Sequence, residues 1–170
     1  MGRQMLQRHA SLLARVEKRF GVPPEIIVAI WGLESDYGKG DIGKMPVVRT
    51  LATMAHDCRR TELFQGELLA ALKIAQRGDL PLRDMIGAFA GEIGQTQFMP
   101  KAILAYGTGN LENSANALNS TANFLKAHGW RTGAGYQPGE PNFAAIQAWN
   151  AAGVYQKAIA LMGRQIDGGE

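Results

Sequence analysis

Cysteine occurs once, at Cys58, so the chain can form no internal disulfide, which suits either the cytoplasm or a periplasmic protein that uses none. No apolar run reaches the roughly 18 residues that a membrane-spanning helix requires. The first residues, Met1-Gly2-Arg3-Gln4-Met5, lack the apolar core of a signal peptide, which by itself says little about natural location. His9, His56 and His128 are scattered without metal-ligand spacing, so neither a metal site nor another cofactor is expected. Lysine and arginine form no dense run and the formal net charge is only +3, so the electrostatic footprint of a nucleic-acid binder is weak. There is no internal repeat, no low-complexity tract and no long linker, and 170 residues fit one domain spanning 1–170.

What is present is organised around Ile26-Ile27-Val28-Ala29-Ile30-Trp31-Gly32-Leu33-Glu34-Ser35-Asp36-Tyr37-Gly38. The run follows Pro23-Pro24, and proline suits the first turn of a helix. Apolar residues all round predict a helix over 24–35 that is buried on most faces. Glu34 falls near its C-terminal end. Apolar surroundings and the negative end of the helix dipole both disfavour a charged carboxylate, and both raise its proton affinity. That is the property a general acid needs near neutral pH. Taken alone, the stretch fits a solvated helix-end glutamate at least as well.

Helical patterns dominate the rest. Leu12, Val16 and Phe20, with Leu6 and Leu13 close to the same side, predict one amphipathic helix over 3–20, stopped by Gly21. The glycines of the 38–43 loop allow close approach to a ligand, although a plain connector fits equally. Pro46 opens a short helix carrying Val47, Leu51 and Met54. Thr61 is a plausible N-cap for the next, whose buried stripe reads as Phe64, Leu68 and Leu72 and which ends near Gly78. Residues 86–100, Ile-Gly-Ala-Phe-Ala-Gly-Glu-Ile-Gly-Gln-Thr-Gln-Phe-Met-Pro, make a poor isolated helix or strand. Their small side chains and amides suit the wall of a groove that hydrogen-bonds a polar ligand. Helices over about 101–106 and 114–128 follow. A stripe of Phe143, Ile146 and Trp149 is interrupted at 150–153, and Tyr155, Ile159 and Met162 mark a last helix. No long strand can be placed; a small β element fits the glycine-rich loops.

In order along the chain stand Glu34-Ser35-Asp36-Tyr37-Gly38, Gly94-Gln95-Thr96-Gln97-Phe98-Met99-Pro100, Ala127-His128-Gly129-Trp130, and Pro141-Asn142-Phe143 leading to Trp149-Asn150 and Tyr155. This ordered set resembles the catalytic domain of the MltB-type lytic murein transglycosylases over nearly the whole chain. The resemblance implies a mainly α, α+β lysozyme-like helical domain with a saccharide-binding groove. It implies cleavage of the β-1,4 bond between N-acetylmuramic acid and N-acetylglucosamine in peptidoglycan, ending in a 1,6-anhydromuramoyl product. Glu34 matches the single catalytic carboxylate. Gln97 matches a groove glutamine, and Phe98 and Met99 continue that motif into the substrate-binding set. Asn150 and Tyr155 match polar and aromatic positions near the acid, and Arg59 and Arg60 an arginine pair within reach of peptide stems or sugar. The implied partner is the peptidoglycan glycan strand, met by a monomer in the periplasm. Membrane association would come only through a segment absent from this chain.

Other readings stay open on the residues themselves. Tyr37 suits a sugar-stacking surface or a packed loop anchor, Tyr155 the groove or the apolar stripe, and Trp149 the core or the groove floor. Gln97 could be a satisfied structural amide. Asp36, Asp41 and Glu92 are the candidates for a second acid; Asp36 is two residues from Glu34 and would point elsewhere on a helix, while Glu92 sits in the groove-wall stretch. Phe124 and Ala88 stand where some members carry tyrosine and serine. The 106–113 loop lacks the repeated aspartates of a calcium loop, so no calcium site is expected. The 130–143 loop is short. A usable second carboxylate would favour a hydrolytic muramidase, and the lost hydroxyls a peptidoglycan-binding module without turnover.

Overall fold

The computed structural model describes residues 1–169. Its helices are α1 (Gly2–Arg8), α2 (Ala10–Phe20), α3 (Pro24–Ser35), α4 (Val47–His56), α5 (Thr61–Arg77), α6 (Pro100–Tyr106), α7 (Ser114–Ala127), α8 (Phe143–Trp149) and α9 (Gly153–Asp167). Two short strands, β1 (Met45–Pro46) and β2 (Ile86–Gly87), pair antiparallel with Met45 opposite Gly87 and Pro46 opposite Ile86.

The helix expected over 3–20 is two helices. The chain breaks at His9 (φ −109°, ψ 17°), whose ring meets Trp31 edge-on at 5.2 Å. The break lets α1 pack on α3 and α9 while α2 packs on α7, so tertiary contacts override a continuous pattern. Within α2, Leu13 joins Val16 and Phe20 as the buried set, and Leu12 only flanks them.

Helix α3 is the axis of the larger apolar cluster. Every residue from Ile26 to Trp31 is buried, surrounded by Leu118, Ala122 and Leu125 of α7 and by Ile146, Ile159 and Ile166. Each such fully buried branched side chain contributes about 1.5–3 kcal/mol. Gly163 brings α9 close to α3, since a β-carbon there would lie 2.7 Å from Ile26 Cδ1. Asn142, fully buried, closes the 131–142 loop by accepting from the Arg131 N–H (2.7 Å) and donating to the carbonyls of Arg131 (2.9 Å) and Ala134 (2.8 Å).

A second cluster gathers Val47 and Leu51 of α4, Phe64, Ala71 and Ile74 of α5, and Met85 and Ile93. The stripe expected on α5 is shifted. Leu72 is 42% exposed, and the buried face runs through Phe64, Glu67, Ala70, Ala71 and Ile74. The carboxylate of Glu67, only 5% exposed, accepts the Lys101 N–H at 2.9 Å and so holds the first turn of α6. Thr61 is not the N-cap of α5. Arg60 occupies that position, and the Thr61 hydroxyl instead donates to the Asp57 carbonyl at 2.9 Å.

Candidate active site

The two apolar clusters meet along a cavity of about 390 Å³, within the range of ligand pockets. Phe124 and Trp149 reach it from the first cluster and Met99 from the second. Glu34, Glu92, Gln97, Phe98 and Asn150 complete most of its lining.

Glu34 enters from the penultimate position of α3. The chain then leaves the helix sharply: Asp36 and Tyr37 adopt left-handed backbone, with φ of 46° and 60°. Ser35 anchors this exit, its Oγ accepting the Gly38 N–H at 3.0 Å and its carbonyl the Gly40 N–H at 2.8 Å. The Glu34 carboxylate accepts a hydrogen bond from the Trp149 indole Nε1–H at 3.0 Å. Burial pushes its proton affinity above the ordinary glutamate range. Hydrogen bonding from Trp149 and, less strongly, from the Tyr155 hydroxyl opposes that shift, and the charge of Glu92 adds to it. Tyr155, on α9, is raised in turn, by its own burial first and by the Glu34 charge second.

Gln97 sits in the tight turn closed by the bridge between Ile93 and Phe98, with a left-handed φ of 53°. Its Nε2 donates to the carbonyls of Gly94 (2.8 Å) and Ile42 (3.4 Å), tying the 38–43 loop to this turn. Among the described residues its Oε1 accepts no hydrogen bond, so that atom is left for a ligand. Phe98 is 3% exposed and forms an apolar floor with Trp149 (centroids 5.2 Å apart) and Phe124, which packs edge-on to Trp149 at 5.1 Å and stacks on His128 at 3.9 Å.

Of the residues expected to form the site, the structure brings together Glu34, Gln97, Phe98, Met99 and Asn150, with Tyr155 against the acid. It puts three elsewhere. Tyr37 is buried in the larger cluster, edge-on to Trp31 at 5.7 Å. Arg59 and Arg60 line a separate cavity of about 320 Å³ with Met54, Asp57 and Phe64. There the Arg59 guanidinium binds the Asp57 carboxylate (Nε to Oδ1 3.0 Å) and lowers that acid to about 2. Asp41 spends its Oδ1 on the Gly43 N–H, whereas Glu92 does line the Glu34 cavity. Ala88 is not part of that lining, and Phe124 is.

Two contacts at and beside the cavity have no signal in the sequence. The Trp149–Glu34 hydrogen bond joins residues 115 positions apart. Gln95 accepts the Trp31 indole N–H at 2.8 Å and donates to the Glu112 carbonyl, clamping α3 to the 111–112 segment.

Residues 1–139 match the family described as "Transglycosylase SLT domain". Membrane-bound lytic murein transglycosylase B of Escherichia coli K12 is 40% identical over 151 residues, covering 79% of this chain and 41% of that protein. This chain therefore spans about two-fifths of that relative's length. SltB3 of Pseudomonas aeruginosa, solved in complex with NAG-anhNAM-pentapeptide, superposes with a TM-score of 0.90 at 31% identity, over 99% of this chain and 63% of that one. The Escherichia coli lytic transglycosylase Slt35, solved with bulgecin A, superposes with a TM-score of 0.87 at 28% identity, over 98% of this chain and 72% of that one. The fold is the lysozyme-like one that these structures share.

Proposed function

Since the chain belongs to the transglycosylase SLT domain family, we propose that it is a lytic transglycosylase acting on peptidoglycan glycan strands. It cleaves the β-1,4 bond between N-acetylmuramic acid and N-acetylglucosamine and leaves a 1,6-anhydromuramoyl end. The observation that carries this is Glu34: a half-buried carboxylic acid of raised proton affinity, held by Trp149, in a cavity that also presents Gln97 and Asn150 over an aromatic floor.

Protonated Glu34 donates to the bridging oxygen as the bond from C1 to that oxygen breaks. The muramoyl C6 hydroxyl then attacks C1, and the ionised Glu34 takes the proton that this hydroxyl releases. One carboxyl group is acid and then base, and no water is consumed. The attacking hydroxyl belongs to the same sugar, so its effective concentration exceeds that of any water. Burial favours the acid form that starts the cycle. The Trp149 and Tyr155 donors stabilise the carboxylate that must exist midway through it. Gln97 Oε1 and Asn150 orient the sugar, with Phe98 and Met99 behind them.

Residues 1–170 act as one catalytic unit, as a monomer and in the periplasm, where this polymer lies, without nucleic acid as a partner. Among the described residues no helix is long and apolar enough to cross a membrane. The SltB3 complexes with muropeptides support a glycan ligand. Glu92, the second carboxylate in the cavity, is the one feature that would suit a hydrolytic muramidase. Mass spectrometry of purified peptidoglycan digested by the protein and by Glu34→Gln decides between them. Products one water lighter than hydrolytic muropeptides, absent with the variant, are expected. Reducing ends from the parent would make it a muramidase, and a variant as active as the parent would remove Glu34 from the mechanism.

A further inference from the structure

The cavity around Glu34 is lined by a second carboxylate and, among the described residues, by no cationic side chain. Among the described residues Glu34 and Glu92 are the only ionisable groups that line it. They arrive from unconnected elements, Glu34 from the end of α3 and Glu92 from the 88–93 loop. Among the described residues the ion pairs are Arg59–Asp57 and Arg83–Asp84, so neither glutamate has a salt-bridge partner.

Glu92 is also held in place. Its carbonyl accepts the Ala88 N–H at 2.8 Å and its Oε2 the Ala90 N–H at 3.2 Å. Behind it the backbones of residues 43, 87 and 92 are stacked without room for side chains. A β-carbon on Gly87 would lie 2.1 Å from the Glu92 carbonyl oxygen, and one on Gly43 would lie 2.1 Å from that of Gly87. Glu92 is thus a fixed carboxylate without a salt-bridge partner, lining the same apolar-floored cavity as the general acid. It is well suited to a ligand that becomes positive during reaction, as a glycosyl ring does when its C1–O bond breaks.

We propose that Glu92 is a second catalytic carboxylate, one that stabilises the positive charge developing at the anomeric carbon while Glu34 handles the proton. This rests on the transglycosylase activity proposed above. It requires no new bond and no second proton transfer, so the one-acid mechanism is unchanged. The same charge acts on Glu34 and adds to the upward push on its proton affinity. The other groups acting on Glu34 are the Trp149 indole N–H of α8 and the Tyr155 hydroxyl of α9. The α6 and α7 residues of the lining, Ala102 and Phe124, carry no ionisable group.

Glu92→Gln separates this role from a structural one, because the amide oxygen can still accept the Ala90 N–H while the charge is gone. Expected is a fall in kcat of about tenfold with KM changed less than about twofold. The alkaline limb of kcat/KM should move to lower pH, and Glu92→Asp should recover part of kcat. A carboxyl-detected NMR titration of the ligand-free protein reads the coupling without turnover, and the Glu34 midpoint should fall in Glu92→Gln. Unchanged kcat and an unchanged Glu34 midpoint would overturn the proposal and leave Glu92 as a loop anchor. Reducing-end products from the parent that vanish in Glu92→Gln would also overturn it, since Glu92 would then be activating water. A parent that releases no product at all refutes the transglycosylase reading and this role with it. The titration then shows separately whether the two carboxylates share a field.

Discussion

Replacing Trp149 with phenylalanine tests how the acid is poised. The indole Nε1–H donates to Glu34 Oε1 at 3.0 Å, and the ring packs against Phe98 and Phe124 with centroids 5.2 and 5.1 Å away. Phenylalanine keeps an aromatic ring in that packing and removes the donor. A hydrogen bond to a charged group contributes about 1.5–3 kcal/mol. The Glu34 carboxylate is only partly buried and lines an open cavity, so the lower end applies. About 1.5 kcal/mol corresponds to roughly tenfold in the proton affinity of Glu34. The donor favours the ionised form, so its removal raises that affinity further. In Trp149→Phe the alkaline limb of kcat/KM should therefore move to higher pH, opposite in sign to the shift expected for Glu92→Gln. The plateau value of kcat should fall by about tenfold, because the carboxylate proposed to act as base has lost its strongest stabilising contact. The assay is release of anhydro-muropeptides from soluble glycan strands across the pH range, beside a carboxyl NMR titration of Glu34. Tyr155→Phe should shift the limb in the same direction and by less. A limb that stays in place, or moves to lower pH, would refute this account of the Trp149–Glu34 contact.

Three further outcomes follow from contacts already described. Glu34 holds its proton more tightly in the folded chain than at the ordinary value of 4.5. Its stabilising share is therefore fully present below about that pH and lost as pH rises through the folded value. Glu34→Gln should melt higher than the parent at pH 7, the gap closing near pH 4 by scanning calorimetry; a variant that melts lower at pH 7 would contradict the sign. Glu67→Ala strips α6 of the carboxylate on its first turn at a cost of about 2–3 kcal/mol, lowering Tm by about 5–10 °C, whereas Glu67→Gln should lose less. Equal melting of Glu67→Ala and parent would show that the contact with Lys101 contributes nothing. Gly43→Ala forces a β-carbon onto the Gly87 backbone at a left-handed φ of 97°. It should lose at least about 3 kcal/mol in urea unfolding, and a near-neutral result would count against the stacked backbones beneath Glu92.

Legibility in the sequence followed the range of the interactions. Helix α3 could be read because uniform apolarity and two prolines are local signals, and its end delivered Glu34 to the surface. The motif Gln97-Phe98-Met99 marked one wall of the cavity. The break at His9 could not be read, since it depends on Trp31 meeting the His9 ring from another helix. The rotation of the buried face of α5 was equally hidden, because a carboxylate is not expected on an apolar stripe. Glu67 is buried only because the N-terminus of α6 comes to meet it. Trp149 reads as core or floor and turns out to be both, as well as the donor to the acid. Tyr37 and the Arg59–Arg60 pair lie outside the Glu34 cavity for reasons of packing and of pairing with Asp57, neither of which a motif displays.

The left-handed backbone at Gln97 has a consequence for anyone evolving this protein toward heat resistance. A non-glycine residue there stores about 1–3 kcal/mol that glycine would release. Where that release outweighs the two hydrogen bonds lost with the amide, a screen that rewards only survival at high temperature will favour Gln97→Gly. The same exchange deletes the amide that ties the 38–43 loop to the 94–98 turn and offers its oxygen to the cavity. Hardier variants obtained by that route would be blunter ones, and a screen coupled to glycan release would discard them.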